Sequence, residues 1–217
     1  MPLIPVKTPK VIKSIFPNYV WNIDTTEKVI YLTFDDGPTP QITNWILNIL
    51  NQYNAKATFF CIGANVEKYP DVFQGILNEN HRVGNHTQHH IKGWKTKNKA
   101  YIKNVEKAQK VFELNVLNSE LRIQNLFRPP YGKITFKQGK TLMALGYKII
   151  MWDVLSFDWD KSITQERCFN NVTSKAKPGS IVVFHDSVKA SKHMMHTLPK
   201  VLEHFSKKGY SFKALEF

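Results

Sequence analysis

Apolar residues come in short unbroken runs along this chain, and polar residues collect immediately after them. Val29-Ile30-Tyr31-Leu32, Ile149-Ile150-Met151-Trp152 and Ile181-Val182-Val183-Phe184 show no in–out alternation. Runs of that kind are buried on both faces, which indicates a parallel sheet covered by helices. The same reading places strands at 29–34, 57–62, 81–84, 125–128, 147–152, 180–185 and 210–215. Helices fall at 40–52, 65–79, 99–117, 135–145, 162–176 and 193–208. Thr39-Pro40 reads as an N-cap followed by proline at the first helical position. Gly146, Gly179 and Gly209 each precede a strand, as helix-to-strand turns prefer.

Seven such strand–helix units suit a small α/β barrel or an open doubly wound sheet. In both, chemistry gathers at the carboxyl ends of the strands. Asp35-Asp36, His86, Arg128, Asp153, Asp158 and His185 all follow apolar runs. That recurrence implies convergence on one mouth and favours a barrel.

A length of 217 residues allows one domain with a sizeable core. The net charge of +13 favours anionic partners through long-range steering. The lysines are spread along the chain, as on an ordinary solvated surface. No RNA-binding consensus, zinc-finger spacing or zipper heptad is present, so no nucleic-acid partner is expected. No apolar stretch approaches the ~20 residues of a membrane span. The N-terminus carries prolines and lysines where a secretory leader has its apolar centre, so no signal peptide is visible. The compartment stays open, with the cytoplasm as the default. Residues 1–27 read as an N-terminal extension packing on the barrel, with a short basic amphipathic turn from Pro9 to Phe16. Cys61 and Cys168 lie far apart without a CxxC, which argues against a disulfide scaffold.

Asp35-Asp36 ends an apolar run just before Gly37-Pro38. Adjacent residues of a strand point to opposite faces, but at a strand end leading into a turn both carboxylates can reach one cleft. The competing reading is an Asp that merely caps the Gly-Pro corner. His86 and His90 share a face if their segment is a helical turn, and His89 offers a rival pairing. Two imidazoles and one carboxylate can hold a divalent ion and leave a position open for water. A polar histidine loop, helped by His81, is the alternative. Arg128, set before Pro129-Pro130, is stiffly placed to hold a carboxylate; the alternative is a surface arginine in a stiff loop. His185 emerges from a buried strand tip, where an imidazole serves well as a general acid or simply as a satisfied core residue. Asp158 offers a carboxylate to orient it, and Trp159 a ring for sugar stacking. Trp152 reads as core. In the segment 91–99, Trp94 is open to stacking on a sugar or to packing, and the lysines suit an anionic glycan.

The ordered set Thr33-Phe34-Asp35-Asp36-Gly37, His86-Thr87-Gln88-His89-His90, Arg128-Pro129-Pro130-Tyr131, Asp158-Trp159 and Val183-Phe184-His185 resembles the polysaccharide deacetylases. These form carbohydrate esterase family 4, with its NodB-homology domain, and the resemblance covers roughly residues 28–215. It implies a distorted seven-stranded (β/α) barrel, TIM-barrel-like, with residues 28–217 as one catalytic domain. It implies a hydrolase of N-acetyl groups on a glycan containing N-acetylglucosamine, such as peptidoglycan or chitin-type oligomers; apart from the resemblance, a monomer is expected. O-acetyl xylan and non-sugar amides are alternative substrates, and a non-catalytic glycan-binding module is an alternative role. By resemblance, Asp36, His86 and His90 are the ligands of one divalent ion, zinc foremost, with cobalt or nickel as alternatives. Asp35 is the base, held by Arg128; His185 is the acid, tuned by Asp158. The Tyr131 amide helps bind the oxyanion, while Trp159 and Val183 line the acetyl pocket. The chain departs from the family pattern at Leu155, where an Asp is common, and at Val183, where Leu is common.

Overall fold

The buried runs become strands of one curved parallel sheet in a computed structural model that describes residues 4–116 and 124–217. Strands β1 (Val29–Asp35), β2 (Thr58–Cys61), β3 (Arg82–Asn85), β4 (Leu126–Phe127), β5 (Lys148–Ile149), β6 (Val154–Leu155) and β7 (Ile181–His185) run in the order β5-β4-β3-β2-β1-β7-β6. A short β8 (Ser211–Phe212) pairs only with the start of β1, through Val29 and Ile30. The main path therefore has the seven strands expected of the barrel, with different membership: β6 replaces the 210–215 segment. All strand pairs are parallel, so Asp35, His86, Arg128 and His185 leave the sheet at one end.

The run 147–152 does not form one strand. It pairs with β4 only as far as Ile149, and the chain then crosses to β6 beside β7. The N-terminal segment fills the seam between them. Met151 N–H donates to Val20 C=O at 2.7 Å, and Leu155 N–H donates to Val6 C=O at 2.8 Å. Bridges Val20↔Ile150, Lys7↔Val154 and Asn22↔Ser180 extend this contact. Asp153, expected at the mouth, is buried in the seam instead. Its carboxylate takes Lys7 Nζ at 2.8 Å, Lys13 Nζ at 2.7 Å and Ser180 Oγ at 2.6 Å. The physical reason is local: the lysines of the N-terminal segment supply the charge that a buried carboxylate needs.

Eight α-helices are described: α1 (Lys10–Ile15), α2 (Ile42–Gln52), α3 (Gly63–Lys68), α4 (Pro70–Asn78), α5 (Asn98–Leu114), α6 (Phe136–Ala144), α7 (Gln165–Thr173) and α8 (Ser191–Lys207). The expected helix 65–79 is divided, because Pro70 starts α4 and holds Tyr69 outside the helical region at φ −134°, ψ 58°. Helix α2 begins two residues after Pro40, behind Gln41 at φ 67°. Thr39 is no side-chain cap there; its own N–H donates to Thr43 Oγ1 at 2.8 Å. The expected helix 99–117 ends at Leu114, with Asn115 beyond it, and residue 117 lies outside the described residues. Helix α6 opens on a capping box between Thr135 and Gln138. Helix α1 buries none of its side chains. Between sheet and helices, Phe34 stacks on Phe59 and Phe184 with centroids 5.0 and 6.1 Å apart.

Candidate active site

Asp36 breaks β1 into a turn with φ 84°, a conformation uncommon outside glycine. That reversal cancels the strand alternation, so Asp35 and Asp36 face the same cavity. Gly37 must follow without a side chain, since a Cβ there would collide with the Asp186 carboxylate. Asp186 is itself buried, accepts from Thr43 Oγ1 at 2.7 Å, and has its pKa pushed up to about 7 by burial. Neither Asp186 nor Thr43 carried a signal in the sequence beyond adjacency to a motif.

The histidines approach each other through a loop rather than a helical turn. Thr87 and His90 take φ values of 67° and 52°, and two N–H groups, of Gln88 and His89, fasten to Asn104 Oδ1. His86 Nε2 lies 3.7 Å and His90 Nε2 3.1 Å from Asp36 Oδ1. Ligand atoms of Asp36, His86 and His90 all fall within 4.8 Å of one another. His86 Nδ1 lies 2.8 Å from the Arg128 carbonyl, which can only accept; that fixes the tautomer with Nε2 unprotonated and aimed at the cluster. Burial lowers the His86 pKa to about 4, so the ring is neutral at ordinary pH. Burial works against the charge of Asp36, but its hydrogen bond to His90 and the nearby imidazoles of His185 and His86 outweigh it and lower its pKa. The donor set suits a divalent ion of intermediate softness, such as zinc. His89 is exposed and stays outside the cluster. His81 is a core residue whose Nδ1 accepts from Ala57 N–H at 3.1 Å.

Arg128 is wholly buried beneath the cavity. Nη1 donates to Asp35 Oδ1 and to Thr33 Oγ1, both at 2.7 Å, while Nε and Nη2 reach the carbonyls of Ile150 and Met151. On the far wall, Asp158 Oδ1 lies 2.9 Å from His185 Nδ1, and its Oδ2 accepts from His185 N–H at 2.7 Å. Burial disfavours a charged His185, yet Asp158, with Asp36 and Asp35 behind it, raises the pKa to about 9. Trp159 meets the His185 ring edge-on at 4.7 Å.

Asp35, Asp36, His86, His90, Tyr131, Trp159, Val183 and His185 all line one cavity of about 420 Å³. Arg128 and Asp158 stand behind it as supports. The Tyr131 backbone is left-handed at φ 60°, and its N–H has no acceptor among the described residues. The cavity wall also includes Ile4, Trp152, Leu155, Lys133 and Lys189, none of which the sequence singled out for this place. Trp152 is half-buried and lies against Gly132, so it forms wall as well as core. Leu155 occupies the wall with a buried apolar side chain.

Residues 22–150 match the family model described as polysaccharide deacetylase. A peptidoglycan-N-acetylglucosamine deacetylase of Bacillus cereus is 35% identical over 194 residues, covering 88% of this chain and 88% of that protein. A chitooligosaccharide deacetylase of Azorhizobium caulinodans is 32% identical, covering 76% of each. Among solved structures, the Bc1960 peptidoglycan N-acetylglucosamine deacetylase in complex with 4-naphthalen-1-yl-N-oxidanyl-benzamide superposes with a TM-score of 0.86. The two are 31% identical, and the match covers 96% of this chain and 95% of that one. The chain belongs to the polysaccharide deacetylase family, hydrolases that act on carbon–nitrogen bonds other than peptide bonds.

Proposed function

We propose that this protein removes acetyl groups from the amino sugars of a glycan, an N-acetylglucosamine-containing strand of the peptidoglycan or chitin type. The observation that carries this reading is the shared cavity. It joins a carboxylate–imidazole cluster, a carboxylate braced by a buried arginine, and a histidine braced by a buried aspartate. Asp36, His86 and His90 would hold one divalent ion, with zinc favoured over cobalt or nickel by the two imidazoles and single carboxylate. Bound there, it supplies Lewis acidity to the acyl carbonyl and to the attacking water.

The chain's own groups then move the protons. Asp35 accepts a proton from water as the new C–O bond forms. Its hydrogen bond to Arg128 keeps it oriented, and the other carboxylate oxygen remains for the water. The free Tyr131 N–H is available to the acyl oxygen as negative charge develops on it. His185 is protonated at neutral pH, with Nδ1 committed to Asp158, so Nε2–H faces the leaving nitrogen. It donates that proton as the C–N bond breaks, which leaves acetate and a free amine. An amine leaves poorly without a proton, so a dedicated acid with a raised pKa suits an amide better than an ester. Trp159 and Val183 bound the space for the acetyl methyl.

Residues 28–217 would be the catalytic domain, with 1–27 as an extension on it, and the protein would act as a monomer. The net charge of +13 and the lysines at the cavity rim suit an anionic glycan. The test is acetate release from N-acetylglucosamine oligomers, peptidoglycan fragments and acetylated xylan, in metal-free buffer and with added zinc, cobalt or nickel. Metal-dependent release from the first two is expected. Glycan binding without acetate release under any metal would sink the proposal in favour of a non-catalytic module.

A further inference from the structure

Two aromatic rings, Tyr131 and Trp94, stand exposed with a lysine over each, and one member of each pair lines the cavity. Tyr131 is 52% exposed, and Lys92 Nζ lies 4.4 Å from its ring centre. Trp94 is 64% exposed, and Lys133 Nζ lies 5.3 Å from its ring. Tyr131 and Lys133 also line the cavity itself, so the pairs continue outward from the reacting centre.

The outer pair is built rather than loose. Trp94 Nε1 donates to Ile134 C=O at 2.9 Å, which fixes the indole edge inward and leaves the ring exposed. Its 3-10 turn, Gly93–Lys95, is fastened to the 132–138 segment. Gly93 N–H donates to Lys133 C=O at 3.0 Å, and buried Gln138 Nε2 donates to the carbonyls of Gly93 and Thr96, both at 3.0 Å. A Cβ at Gly93 would press on Gln138 Oε1 and the Lys133 carbonyl, so the close approach needs glycine. A large ring held this firmly in water loses little further freedom when a ligand covers it. No carboxylate is paired with Lys92 or Lys133 among the described ion pairs.

We propose that Trp94–Lys133 and Tyr131–Lys92 form a subsite for the glycan strand beyond the reacting sugar, and that the strand it takes carries carboxylates. This rests on the deacetylase reading for what sits in the cavity. The aromatic faces supply apolar area for the carbon faces of sugar rings, and the two ammonium groups supply charge for acids borne by neighbouring residues. The occupant is the substrate's own continuing chain, because the pairs border the cavity and carry unpaired positive charge.

The test is binding to metal-free protein, measured by titration at low salt. The probes are an N-acetylglucosamine tetramer and a tetrasaccharide of equal length in which alternate sugars bear a lactyl carboxylate. Acetate release with metal is measured separately, so the reaction can fail while the subsite stands, and the reverse. The acidic probe should bind more tightly than the neutral one. Trp94→Ala should weaken both by about five-fold or more, as truncating an aromatic anchor does. Trp94→Phe keeps a ring without the indole N–H and should recover most of that loss. Lys92→Gln with Lys133→Gln should cut the preference for the acidic probe by roughly two- to five-fold, the range of exposed charge pairs. The proposal is overturned if Trp94→Ala binds both probes like the parent protein, if Trp94→Phe is as weak as Trp94→Ala, or if the double lysine variant keeps the parent's preference.

Discussion

Arg128 Nη1 donates to Asp35 Oδ1 at 2.7 Å, with the arginine side chain wholly buried and the aspartate only 6% exposed. The guanidinium is also held by Thr33 and two main-chain carbonyls, and it lies 4.1 Å over the Phe60 ring. Asp35 is therefore oriented by a group that cannot rotate away. Arg128→Met should leave this carboxylate buried without its partner, at a cost of about 3–5 kcal/mol in chemical denaturation. Arg128→Lys keeps the charge but cannot serve four acceptors, so it should recover only part of that loss. A methionine variant as stable as the parent protein would remove the pair from the account of this site.

The proposed division of labour between Asp35 and Asp36 predicts that metal content and turnover separate. Asp35→Asn should retain metal while acetate release falls by about 10²–10⁴-fold, the usual contribution of a general base. His86→Ala and Asp36→Ala should lose the metal itself. Elemental analysis beside acetate release checks both, and normal acetate release by Asp35→Asn would refute the base assignment.

His185 and Asp158 predict a pH effect with a definite sign. The His185 pKa of about 9 stands above the ordinary 6.5, so folding favours the protonated ring. The stability it contributes is fully present below pH 6.5 and is lost as pH rises through 9. Asp158→Asn removes the charge that outweighs burial, so the pKa should fall and the alkaline limb of activity should move to lower pH. Imidazole NMR on the metal-free variant reads this directly. An unmoved His185 resonance titration would contradict it.

Asp153 ties the N-terminal segment into the seam of the sheet through Lys7 and Lys13. Asp153→Ala should destabilise the fold by about 3 kcal/mol, because a buried pair is broken and the Ser180 hydroxyl loses its acceptor. It should also open residues 5–22 to proteolysis before the rest of the chain. Cleavage at the parent rate would show that backbone pairing alone holds the segment.

Much of the site was legible because its groups sit in local patterns at strand ends. A turn after β1, a loop after β3 and a histidine at the tip of β7 each place their side chains within a few residues of a buried run. The spacing of His86 and His90 left a helical turn and a tight turn both open, and the structure takes the second. Spacing of four suits a helix, but two left-handed residues bring the same rings together without one. Trp152 and Ile4 were missed as cavity wall because their places depend on contacts made far along the chain, whereas Lys133, two residues past Tyr131, carried no signal beyond adjacency to a motif. Asp153 was misplaced for the same reason. It follows an apolar run like the others, yet its partners Lys7 and Lys13 lie some 140 positions away in sequence.

The presence of buried parallel strands and the residue types of the site were set by local composition: apolar runs need two covered faces, and a strand end followed by a turn exposes what comes next. Closure of the seam by residues 6–22, the split of 147–152 into two strands, the bracing of Asp35 by Arg128 and the exposed, fastened ring of Trp94 were decided only in three dimensions. Each depends on which distant groups meet, and no local spacing encodes that.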